Sequence, residues 1–192
     1  MLFPRFKAQT TGDWEPQRAA EGVLEASDTC GVTKNIIGGL FATSAGYGAP
    51  VYAEPQSPSF IGSQKWRLQK VEGKNTFNII AVGHPPLTIP GITEPIVLPT
   101  VGWGLARGAD GDPSRIITLQ TELAEFVLRP YGDQSHPDGF TVIIQRPGSR
   151  FSLHLANIVG VDSKTEALEV EGHYFPSPDA PPQWQFIRHW TI

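Results

Sequence analysis

The chain has 192 residues, 40% of them hydrophobic and 18% charged, and a formal net charge of -4 from 15 basic and 19 acidic side chains. Its length favours one domain that buries roughly 70% of the unfolded surface, and its basic residues are scattered, which excludes the clustered footprint of a nucleic-acid binder. One cysteine, Cys30, excludes an intrachain disulfide framework; 20 glycines and 18 prolines leave little room for helices; no stretch reaches the ~20 apolar residues of a membrane helix.

The chain opens Met1-Leu2-Phe3-Pro4-Arg5-Phe6-Lys7 with no apolar run of signal-peptide length behind it, and it lacks an Asn-x-Ser/Thr acceptor. A lone thiol suits a reducing compartment, so a cytoplasmic protein is expected. Residues 1–17 read as an amino-terminal extension, and residues 18–192 as one domain.

Val32 to Gly39 reads as a loop, leading into Leu40-Phe41-Ala42-Thr43-Ser44. Pro50-Val51-Tyr52-Ala53-Glu54 is a short strand that Pro55 ends, and a second loop runs from Pro55 to Ser63. Trp66-Arg67-Leu68-Gln69-Lys70-Val71 alternates apolar and polar residues, as a half-buried strand does. Glu72-Gly73-Lys74-Asn75 supplies turn chemistry before the strand Thr76-Phe77-Asn78-Ile79-Ile80. Gly102-Trp103-Gly104 and Asp110-Gly111-Asp112 read as turns. Phe126-Val127-Leu128-Arg129 is a strand, Tyr131 to Gly139 a polar turn, and Phe140-Thr141-Val142-Ile143-Ile144 a strand again. In the alternating Phe151-Ser152-Leu153-His154-Leu155, His154 falls on the face opposite the apolar residues. Trp184-Gln185-Phe186-Ile187 closes the series.

The aromatic leaders Trp66, Phe126 and Trp184 are separated by 60 and 58 residues. A period that long does not fit an ordinary solenoid unit. It predicts an all-β chain, a β-trefoil of three pseudo-repeats of four strands, with repeats at about 18–72, 73–133 and 134–192. The three leaders would then share one core.

Catalysis and metal binding find no footing. Histidines stand at 84, 136, 154, 173 and 189, with no metal-ligand spacing, so no metal and no cofactor is expected. Gly-x-Ser-x-Gly is absent. The Gln64-Lys65-Trp66 triplet matches a lectin Q-x-W signal, but Ala124-Glu125-Phe126 and Pro182-Gln183-Trp184 do not repeat it. The chain therefore reads as a binding protein rather than an enzyme.

Two loops are the candidate binding surface. The first is Asn35, Ile36, Ile37, Gly38, Gly39 and Leu40. Its paired glycines lack Cβ atoms, so the backbone approaches a partner closely and adopts positive φ. The second is Gln56, Ser57, Pro58, Ser59, Phe60 and Ile61, a loop stiffened by prolines around an apolar anchor. Stiff loops lose less entropy on binding.

These segments also carry a family resemblance. Ile37-Gly38-Gly39-Leu40-Phe41-Ala42-Thr43-Ser44, then Pro50-Val51-Tyr52-Ala53-Glu54-Pro55, then Trp66, resembles the first repeat of the mycocypins, the clitocypins and macrocypins of mushrooms. Tyr174-Phe175-Pro176 and Pro182-Gln183-Trp184-Gln185-Phe186 are similar to that family's closing strands. The resemblance implies a β-trefoil that inhibits papain-like cysteine proteases reversibly, as a monomer. Gly38 and Gly39 would lie over the catalytic cysteine, and residues 56–63 would fill the other side of the cleft. Family members that block legumain use an asparagine, and a trypsin-inhibiting variant a basic residue, in a loop equivalent to Val82–Thr93; that stretch here contains neither. The alternatives left open are a carbohydrate-binding lectin, a serine protease inhibitor using Lys34 or Arg107, and a scaffold for another protein partner.

Overall fold

The computed structural model describes residues 29–35, 38–56, 62–82, 99–107, 113–130, 139–144, 155–175, 177 and 179–188. The described residues form the strands β1 (Thr29–Asn35), β2 (Phe41–Ser44), β3 (Val51–Glu54), β4 (Lys65–Lys70), β5 (Phe77–Ala81), β6 (Gly102–Arg107), β7 (Pro113–Gln120), β8 (Phe126–Pro130), β9 (Gly139–Ile144), β10 (Leu155–Val161), β11 (Leu168–Tyr174) and β12 (Trp184–Arg188). Alternation in the sequence becomes alternation in burial. In β4, Trp66 and Leu68 point inward while Lys65 and Arg67 stay partly exposed. β9, apolar apart from Thr141, is buried along its whole length.

All twelve strands belong to one sheet with antiparallel ladders. Pairing closes a seven-strand circuit, β5-β6-β7-β11-β10-β9-β8 and back to β5. The other five strands are added to it. β4 and β12 connect β1 to β5 and β9, and the hairpin β2–β3 hangs from β1.

This corrects the β-trefoil expected from the period. All-β is right, but the three hairpins are not equivalent lobes. β6–β7 and β10–β11 are joined through Ile116 opposite Glu169, inside the circuit. β2–β3 pairs with β1 at Lys34 opposite Phe41 and reaches the other two hairpins through the isolated bridges Tyr47–Leu119, Pro50–Thr118 and Tyr52–Ala167. The physical reason is that a repeat of inward-facing aromatics specifies which side chains share a core. It does not specify which hairpin edges pair.

The core does gather the three leaders. Trp66, Phe126 and Trp184 are 0% exposed. Trp103 stands among them, edge-on to all three at ring-centroid distances of 5.7, 5.9 and 6.2 Å. Such T-shaped contacts add to simple burial, because a positive ring edge meets a negative face. Gly102-Trp103-Gly104 is thus not a turn but the start of β6. Its glycines are there for space. A Cβ at Gly102 would run into the Ile79 carbonyl, and one at Gly104 would lie 2.5 Å from the Glu122 carbonyl. Asp110-Gly111-Asp112 falls outside the described residues, as does Phe151–His154. Leu155, expected on a buried face, is exposed opposite Tyr174.

Candidate functional site

Antiparallel register decides where the two loops stand. In the β2–β3 ladder Phe41 is opposite Glu54. The first residue of β2, just after the β1–β2 connection, therefore lies beside the last residue of β3, just before the β3–β4 connection. β1 and β4 pair with Val32 opposite Lys65, so the return of the second connection lies near the departure of the first. A third connection leaves the same corner, where Val82 N donates to Lys65 O at 2.9 Å. Loops that are well separated in sequence thus share one base.

That base is held by hydrogen bonds from the segment that leads into β4. Ser44 N donates to Ser63 O at 2.9 Å. Gln64 is 1% exposed, and its Nε2 donates to Thr43 Oγ1 at 2.9 Å and to Pro55 O at 3.1 Å. The Thr43 hydroxyl donates in turn to Phe41 O at 3.0 Å. Trp66 Nε1 donates to Ala42 O at 2.8 Å. Buried polar groups are costly unless bonded, so these partners fix β2 in place rather than decorate it.

Within the first loop, Gly38 is exposed and Gly39 is partly covered. Gly39 has φ of 66°, the left-handed region where a Cβ meets the following carbonyl. Leu40 packs against the core and anchors the loop's far end. Asn35, read as a loop residue, is instead the last residue of β1, opposite Trp184. In the second loop Gln56 is exposed. Ile36, Ile37, Ser57, Pro58, Ser59, Phe60 and Ile61 lie outside the described residues, as does the stretch 83–98 beyond Val82.

The chemistry open to this corner is limited. None of residues 38–40, 55–56 or 62–64 carries an ionisable side chain. These described residues offer backbone amides and neutral side chains, with Glu54 and Lys65 at the adjoining strand ends. Among the described residues no group of three His, Cys, Asp or Glu is placed to hold a metal ion. Of the five histidines His173 alone is described, and its ring meets Phe175 edge-on at a centroid distance of 4.7 Å. Lys34 and Arg107 both lie on strands, opposite Phe41 and Pro113. No described helix is long and apolar enough to cross a membrane.

Sequence reading missed Gln64 as a structural element of this corner. Its signal was present, since Gln64 and Trp66 are the polar and aromatic ends of the Q-x-W triplet. Both turn inward, and both bond β2.

The family model described as "Peptidase inhibitor clitocypin" matches residues 24–186. The comparison with curated proteins returns no match. Among solved structures, the chain is similar to the one titled "Crystal structure of the Rhizoctonia solani agglutinin", at 15% identity and a TM-score of 0.49, covering 85% of this chain and 97% of that one.

Proposed function

This chain belongs to the clitocypin family of peptidase inhibitors, and we propose that it inhibits papain-like cysteine proteases reversibly, by occupying the active-site cleft with two loops. The first is the β1–β2 loop, with Gly38 and Gly39 facing the catalytic thiol; the second is the β3–β4 loop from Gln56 onward. The observation that carries this reading is the register of Phe41 opposite Glu54, which sets the bases of the two loops side by side.

A two-walled cleft needs a two-part wedge, and a shared base supplies one without a hinge between its parts. Glycine backbone at the thiolate has no side chain to be positioned for attack, and the neutral residues 38–40 do not add a charge that the cleft must desolvate. Inhibition is then by occupancy, in a one-to-one complex with a monomeric inhibitor.

Titration of papain with the protein tests this. A stoichiometric end point that reverses on dilution supports the reading. Full papain activity in the presence of a large excess refutes it.

A further inference from the structure

We infer that Gln64 is a positioning residue for inhibition, a side chain that ties the flank of the β1–β2 loop to that of the β3–β4 loop and so holds their spacing. The inference rests on the two-loop reading above and goes beyond it, because Gln64 itself is buried and touches no protease.

The argument begins with the inventory of an amide. A glutamine side chain has two N–H donors and one carbonyl acceptor. Both donors have partners here, one on each loop's flank: Thr43 Oγ1 at 2.9 Å, on the strand that follows the first loop, and Pro55 O at 3.1 Å, at the start of the second. The Thr43 hydroxyl passes the connection on to Phe41 O at 3.0 Å, one residue after Leu40. A relay thus runs from Leu40's neighbour through Thr43 and Gln64 to the residue before Gln56. The β2–β3 register ends at Phe41 opposite Glu54, and the Gln64 bond carries the connection one residue further, to Pro55.

The acceptor has no such role. Gln64 Oε1 is buried and makes no hydrogen bond among the described residues. That orphaned carbonyl costs free energy when buried, so the favourable part of the amide here is its pair of donors. Two donors aimed at two loops justify the amide. Glutamine and the neutral near-isostere methionine have nearly the same volume, so the link can be cut without opening a cavity.

The test uses Gln64→Met and Thr43→Val in the full chain. Inhibition of papain is measured together with the unfolding midpoint. A second readout does not depend on any protease: spin labels on Gly38→Cys and Gln56→Cys in a Cys30→Ser background, with the distribution of label separations recorded with and without Gln64→Met. Gln64→Met should stay folded, broaden that distribution, and weaken papain inhibition about 10- to 100-fold, as expected when the backbone of one or two residues must be ordered at binding. Thr43→Val, which cuts one arm, should fall between it and the wild type.

An unchanged label distribution in folded Gln64→Met overturns the inference, whatever happens to inhibition. A broadened distribution with unchanged inhibition overturns it as well, since the spacing would then be irrelevant to binding. A broadened distribution in a protein whose wild type does not inhibit papain leaves Gln64 as the spacer and removes the protease reading instead. The two failures are therefore separable.

Discussion

Trp103 stands edge-on to Trp66 with ring centroids 5.7 Å apart, and the two indoles differ in one respect: Trp66 Nε1 donates to Ala42 O at 2.8 Å, while the buried Trp103 Nε1 has no partner among the described residues. The same chemical change at the two positions should therefore have different consequences. Trp66→Phe leaves the Ala42 carbonyl without its donor, whereas Trp103→Phe removes an orphan. Both lose ring volume, but Trp66→Phe should be less stable than Trp103→Phe by about 1–3 kcal/mol. Urea unfolding of the two variants decides it, and equal midpoints would show that the indole bond contributes nothing.

The glycines beside Trp103 make a second prediction. Alanine at Gly102 or Gly104 pushes a methyl group against the backbone of Ile79 or Glu122, atoms that cannot swing away. Each substitution should cost about 1–3 kcal/mol, the range for overpacking. Thermal unfolding within a degree or two of wild type would mean that β6 shifts freely, contrary to its place in the core.

The candidate loop's two glycines differ in exposure: Gly39 is partly covered and left-handed at φ 66°, while Gly38 is exposed. Gly39→Ala should lower stability by about 1–2 kcal/mol, the cost of that conformation for a residue with a Cβ, while Gly38→Ala should stay within about 0.5 kcal/mol of wild type. If Gly38 faces the protease thiol, Gly38→Trp should abolish papain inhibition with little change in the unfolding midpoint. Retained inhibition would remove this loop from the interface.

Acid should act through Glu125. The Lys74 ammonium at 2.6 Å, followed by the Thr76 hydroxyl at 3.0 Å, holds its carboxyl below the usual carboxylate range in the folded protein. Because the folded value is the depressed one, the contribution to stability is present above the ordinary carboxylate value and is lost as pH falls through the lowered one. Glu125→Gln should therefore differ most from wild type at about pH 7 and converge with it by about pH 2. Parallel stability curves over that range would dissociate the carboxylate from the effect.

Legibility in the sequence followed the physics of each signal. Trp66, Phe126 and Trp184 were readable because large aromatics at a constant period have few fates other than a shared core. Trp103 was not, because glycines on both sides of a residue ordinarily announce a turn. Here they mark close backbone approach, which depends on Ile79 and Glu122 and so on the folded chain. The β-trefoil reading failed at Ile116 and Glu169, where two hairpins pair edge to edge through residues that carry no periodic mark. At the candidate site the glycine pair and the proline-stiffened loop could be named in advance. Asn35 could not be assigned to a strand, since its neighbour there is Trp184, far along the chain. Gln64 was visible as a motif and opaque as a role, because a motif does not say which way its side chain turns.

That distant neighbour has a consequence for the order in which the molecule is made. Gly31 to Asn35 pair with Trp184 to Arg188, so β1, which also pairs with β2 and β4, obtains its third partner strand from far along the described chain. A ribosome delivers β1 early and β12 late, and until then one edge of β1 lacks its ladder. The corner that carries Gly38 and Gly39 is consequently completed only when translation has passed Arg188. A nascent chain is mute at this corner, and the finished one acquires its reach in a single late closure.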